Sequence, residues 1–142
     1  HDASALAGYA FTNAWLGIVH SMAHQMGGIF GIPHGRANAL ALPNVMRYNA
    51  KVTNRFEDLA KLIGLNTTNE FIAAVEDLKK ATNVPASIRE YGIEKDAWMN
   101  EVHRMAENAF KDVCTSFNPR TTSVEDLEKL YVALYDGEKI NF

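Results

Sequence analysis

Between Ala3 and Ala50 the chain has no aspartate and no glutamate. That gap excludes a carboxylate pair for general acid–base work in this third of the sequence. It also excludes a complete metal site built there on the usual mixture of imidazole and carboxylate ligands. Other absences narrow the field further. A single cysteine, Cys114, cannot close an internal disulfide, and a reducing cytoplasmic setting is the simplest expectation. No lysine and arginine cluster is present and the formal charge is −3, which argues against a nucleic-acid or anionic-membrane surface. The longest apolar stretch, Ala3 to Val19, is broken by Ser4, Thr12 and Asn13. It falls short of the roughly 20 residues a spanning helix needs, and it lacks the basic start of a secretory signal. Alternating strand patterns, internal repeats and low-complexity runs are also missing.

What is present is helical periodicity and a concentration of histidine. With 47% hydrophobic and 22% charged residues, 142 residues suit one domain with a continuous core. Three of the five histidines, His20, His24 and His34, fall in the window Trp15 to Gly35. His20 and His24 are four positions apart, so on a helix they share a face about one turn apart. Gly27 and Gly28 are expected to end that helix, since glycine adopts the left-handed conformation of a C-cap. A loop through Ile29 to Pro33 could then return His34 toward His20. Imidazoles that converge in this way suit metal ligation or proton transfer. The protease pattern of two helical histidines with an intervening glutamate fails, because Ser21 stands where the general base belongs. On spacing alone, the competing reading is that His20 and His24 are core histidines bonded to backbone.

Periodicity and caps predict an all-α domain. A first helix capped by Asp2 or Ser4 runs to a break at Thr12 and Asn13, and the segment Ala3 to Val19 reads as buried on nearly all sides. The histidine helix follows from Ala14 to Gln25. Gly35 to Tyr48 reads as a further apolar helix that Pro43 should kink or shorten. Phe56, Leu59, Ala60 and Ile63 trace one face of a short helix stopped at Gly64. Thr67 with Glu70 forms a capping box for a helix whose Phe71, Ile72, Val75 and Leu78 point inward. Pro85 opens a short turn of helix closed by Gly92. Trp98, Val102, Met105 and Phe110 make a buried stripe from Glu94 to Lys111, and His103 stands apart as a surface histidine. Cys114 to Thr122 reads as a loop. A second capping box, Thr122 with Glu125, opens a last helix with Val124, Leu127, Leu130, Tyr131 and Leu134 inward, closed by Gly137 and followed by a tail. Asn38, one turn beyond His34, could support that histidine or satisfy nearby backbone.

Taken together, Gly17-Ile-Val-His20-Ser-Met-Ala-His24, Pro33-His34-Gly35-Arg-Ala-Asn38-Ala and Leu42-Pro43-Asn-Val-Met-Arg47-Tyr48-Asn49 resemble the signature region of the iron-containing alcohol dehydrogenases. Asn118-Pro119-Arg120 before a terminal helix resembles the end of those chains. The resemblance covers the whole chain and is strongest from Ala10 to Ala50. It implies a multi-helix bundle like the C-terminal domain of the dehydroquinate synthase-like fold, with residues 1–142 forming an all-helical metal-binding domain. It implies His20 and His34 as metal ligands and His24 as the histidine beside metal and nicotinamide that assists proton transfer. The metal would be Fe2+, with Zn2+ chemically acceptable to the same donors. NAD or NADP would be bound mainly by an N-terminal nucleotide-binding domain that this chain lacks, as it lacks the family's Asp and His ligand pair upstream.

The reaction implied is hydride exchange between a small alcohol and its aldehyde or ketone. The isolated chain is expected to be catalytically silent. Its expected partners are that substrate and its own N-terminal domain, and a homo-oligomer is compatible with the same reading; nucleic acid and membrane are not expected. The rival from another class is a non-catalytic all-helical interaction domain with structural histidines.

Overall fold

A computed structural model describes all 142 residues. The chain forms eight α-helices and one 3-10 turn, with no strand, as the periodicity predicts. They are α1 Asp2–Ala14, α2 Ile18–Phe30, α3 His34–Asn49, α4 Arg55–Leu62, α5 Thr68–Ala81, α6 Ile88–Tyr91, α7 Lys95–Lys111 and α8 Val124–Asp136, with the 3-10 turn Val113–Phe117 between α7 and α8. None of these helices is long and apolar enough to cross a membrane.

The core is a four-helix arrangement. α2 packs on α3 and on α7, and α7 packs along α8. Its centre is Trp98 on α7, fully buried, with its indole N–H donating to the Tyr131 carbonyl of α8 at 3.0 Å. The Tyr131 ring meets Trp98 edge-on at 5.9 Å, and its hydroxyl donates to the Met22 carbonyl of α2. One aromatic pair therefore ties three helices together and leaves no buried donor without an acceptor. α4 and α5 form an outer hairpin that leans on α3 through α5, and α6 caps the side of α8.

Several local expectations are corrected. α1 is not buried: none of its residues is, and Leu6 and Tyr9 lie 68% and 74% exposed. Apolar composition calls for a partner surface, and the core of α2, α3, α7 and α8 is already closed by its own side chains. The histidine helix runs from Ile18 to Phe30 rather than from Ala14 to Gln25, and Gly27 and Gly28 lie inside it. Gly31 provides the left-handed C-cap (φ 66°) instead. Pro43 does not end α3, which continues to Asn49 with Pro43 buried within it. In the packed bundle, flanking tertiary contacts outweigh the one backbone donor that proline lacks.

Leu78 and Phe110 are exposed, while Ala106 and Ala109 complete the buried face of α7. Small side chains at those positions allow the close approach of neighbouring helices. The first helix has no side-chain cap from Asp2 or Ser4. The last helix is capped one residue later than expected, by Ser123 accepting from the Asp126 amide. The Cys114 to Thr122 segment begins as a 3-10 turn rather than open loop. Residues after Gly137 are held down: Ile140 is buried, and the Phe142 carbonyl accepts from Arg120. The Thr67–Glu70 capping box, the Gly92 and Gly137 stops and the α8 stripe are as expected.

Candidate functional site

The turn between α2 and α3 is what builds the site. α2 ends in the left-handed Gly31, Ile32 is buried in the core, and Pro33 in extended conformation starts α3 at once. His34, the first residue of α3, therefore faces back along α2. The centroids of the His20 and His34 rings are 5.2 Å apart, those of His24 and His34 5.6 Å, and those of His20 and His24 6.2 Å. All three histidines singled out by spacing thus share one surface, half-buried at His20 and exposed at His24 and His34. Two imidazoles whose nitrogens each lie about 2.1 Å from a shared ion have ring centres roughly 5 Å apart. The His20–His34 separation is of that size.

Electrostatics favour the same use. Burial, then the neighbouring His34 and His24 rings, push the His20 imidazole below its ordinary value of 6.5, against an opposing pull from Asp112. At neutral pH His20 is therefore uncharged and keeps a lone pair. Beside it, Asn38 donates from its amide to His34 Nε2 at 3.0 Å, so of its two readings, support of that histidine or satisfaction of nearby backbone, the side chain takes the first. Its own Oδ1 is buried with no hydrogen-bond partner. The orphaned Asn38 acceptor beside His20 and His34 is a position that a divalent cation or its water would complete, a cation on His34 Nε2 taking the place of the Asn38 amide contact. The residues present fit a metal on the His20 and His34 side.

Sequence reasoning missed Asp112. It lies at the far end of α7, yet its Oδ2 is 2.7 Å from His24 Nδ1 and its Oδ1 accepts the Cys114 amide at 2.9 Å. Burial raises the Asp112 carboxyl, but the bonds from His24 and Cys114 outweigh that and hold it below the ordinary carboxylate range. Burial and the adjacent Asp112 push the Cys114 thiol up, so it is a thiol and not a thiolate. His24, Asp112 and Cys114 place one ligand-type atom each within 4.8 Å of one another. No local pattern marks Asp112, because its partner is on another helix. The only signal was its role as the cap of a short turn.

The region Asn118-Pro119-Arg120 acts on the same helices. Asn118 Oδ1 accepts from the Ile18 amide at the start of α2, and its amide exchanges bonds with Asn49 at the end of α3. Arg120 donates to the Tyr48 carbonyl and lies over the Tyr48 ring at 3.8 Å. A cavity of about 450 Å3 opens beside His20, walled by Trp15, Leu42, Val45, Met46, Phe56 and Phe117. Phe30 and Ile32 face the core, where Phe30 packs on Trp98 at 5.2 Å. His103 lies on the surface beside Glu128 and Glu107, away from the other histidines.

Residues 1–135 match the model of the Fe-containing alcohol dehydrogenase family, C-terminal. The chain is 41% identical to the NADPH-dependent butanol dehydrogenase of Clostridium saccharobutylicum, over all of this chain and 38% of that protein. It superposes on an iron containing alcohol dehydrogenase from Thermococcus thioreducens with a TM-score of 0.90 and 34% identity, covering 97% of this chain and 36% of the other. For a 1,3-propanediol oxidoreductase the TM-score is 0.84 at 38% identity, over 94% and 36% of the two chains. The chain thus spans under two fifths of the length of the relatives it matches.

Proposed function

The chain belongs to the iron-containing alcohol dehydrogenase family, as its C-terminal helical domain, and on that premise we propose that it forms the metal side of an alcohol dehydrogenase site. The observation that carries this reading is the approach of His20 and His34 to 5.2 Å from two different helices. The reaction is hydride exchange between a small alcohol and NAD or NADP, yielding the aldehyde or ketone and a proton. A nucleotide-binding domain N-terminal to this one holds the cofactor and supplies further metal ligands.

His20 and His34 hold the divalent metal, iron by family and zinc by donor chemistry. When bound, the ion supplies Lewis-acid polarisation of the substrate oxygen. His24, on the same helix face as His20, accepts the proton that leaves the alcohol hydroxyl and releases it to solvent. The exposure of His24 leaves that exit open. The apolar wall of Trp15, Leu42, Val45 and Phe117 beside His20 limits water on the substrate side.

The test uses the full-length protein. NADPH or NADH oxidation with a panel of small aldehydes, before and after chelation and metal repletion, should show metal-dependent turnover that His20→Ala abolishes. A folded, metal-loaded full-length protein with no turnover on any member of the panel overturns the reading.

A further inference from the structure

We propose that Asp112 is the positioning residue of His24, fixing the proton on Nδ1 so that Nε2 faces the reaction with a free lone pair. The inference rests on the role proposed above for His24 and adds the group that selects its tautomer. An ionised carboxylate only accepts hydrogen bonds, so the 2.7 Å contact to Asp112 Oδ2 requires the His24 hydrogen at Nδ1. Whenever the ring carries a single hydrogen, its lone pair is then on Nε2, the nitrogen directed away from Asp112.

Asp112 is itself held still. Its Oδ1 accepts the Cys114 amide at 2.9 Å and caps the 3-10 turn, and its side chain is 15% exposed where that of His24 is 42% exposed. The turn is fixed in turn by Thr115, which donates to the Ala109 carbonyl and lies 2.8 Å from Ser21 Oγ on α2. A rigid, mostly covered carboxylate thus backs a solvent-open imidazole. When Nε2 takes the alcohol proton, the Nδ1–H bond to Asp112 is retained and the new positive charge sits against a carboxylate. The proton then leaves Nε2 for water and the ring returns to its starting tautomer, so no atom or charge accumulates.

Asp112→Asn separates this role from simple support. The carboxamide oxygen can keep the Cys114 amide, while its NH2 faces His24 Nδ1 and donates to it. That inverts the tautomer, placing the hydrogen on Nε2. The first measurement is the nitrogen-15 tautomer signature of His24 in full-length, metal-free, histidine-labelled protein at a pH where the ring is neutral. The expected result is Nδ1–H in the parent and Nε2–H in Asp112→Asn. In the zinc- or iron-loaded protein, kcat should fall by about 10–100-fold, the scale for losing a partner that orients an active histidine. KM and metal stoichiometry should stay the same. In a His24→Ala background, Asp112→Asn should cost nothing further.

An Nε2–H tautomer in the parent overturns the proposal, even if the variant fails to fold. So does an equal loss of kcat in the His24→Ala background, which would mark general structural support. Metal lost from Asp112→Asn while His20 and His34 are intact also overturns it, because Asp112 would then be a ligand alongside His24 and Cys114. A parent with the expected tautomer and no dehydrogenase turnover supports the dyad and rejects the proposed reaction.

Discussion

Asn118 and Asn49 exchange two side-chain amide hydrogen bonds, at 2.8 and 3.1 Å, and so clamp the end of α3 to the segment that follows the 3-10 turn. The same Asn118 oxygen accepts the Ile18 amide at the start of α2. One side chain therefore fixes the two helices that bring His20 and His34 together. The relationship explains why Gly17 precedes α2: a Cβ there would lie 2.7 Å from Asn118 Oδ1.

Gly17→Ala should accordingly destabilise the protein by about 1–3 kcal/mol, the range for forced overpacking. Gly17 has an extended backbone (φ −118°), so the cost comes from the clash and not from conformation. Urea unfolding of full-length protein measures it, and the double variant Gly17→Ala with Asn118→Ala should lose less than the sum of the two single losses, because the clash and the clamp involve the same side chain. Equal midpoints for Gly17→Ala and the parent would remove the clamp.

Trp98→Ala should cost about 3–5 kcal/mol, since the largest fully buried side chain is deleted from the centre of the bundle. Trp98→Phe should cost less in volume but leaves the Tyr131 carbonyl without its indole donor. Thermal unfolding should rank the parent above Trp98→Phe and Trp98→Phe above Trp98→Ala.

Glu76 links α5 to α3 through Arg47 at 2.7 Å and to the C-terminal segment through Lys139 at 3.1 Å. Burial raises its carboxyl, but the bonds from Arg47 and Lys139 outweigh burial and hold it below its ordinary value of 4.5. A depressed carboxyl contributes stability that is fully present above that value and is lost as pH falls through the folded one. Unfolding midpoints of the parent should therefore fall more steeply than those of Glu76→Gln as pH drops below about 4.5. Parallel curves would show that these contacts contribute little.

The 142-residue chain alone should turn over no alcohol and bind metal only weakly, because on the proposed reading the cofactor cradle and two ligands lie outside it. Isothermal titration with zinc should give no site of micromolar affinity or tighter. A micromolar site abolished by both His20→Ala and His34→Ala would contradict this expectation.

The all-α class, the start of α5, the Gly92 and Gly137 stops and the inward stripe of α8 were legible in the residues. These features depend on short-range spacing: apolar positions three and four apart, a threonine three residues before a glutamate, glycines where the chain must turn left-handed. The candidate histidines were legible as well, since His20 and His24 share a helix face by spacing alone and the family's signature residues point to His34. The family too could be read there, because its signature residues fall in three short stretches between Gly17 and Asn49.

Tertiary structure decided the rest. It left α1 open to solvent although the sequence of that helix is apolar, because burial is a property of a pair of surfaces. It carried α3 through Pro43 and moved the end of α2 from Gly28 to Gly31, where packing outweighs local preference. It also brought Asp112 to His24 and Asn118 to Ile18, contacts spanning 88 and 100 positions of the chain. Those partners are joined only when α7 folds against α2, and nothing within hydrogen-bonding range along the backbone records the pairing.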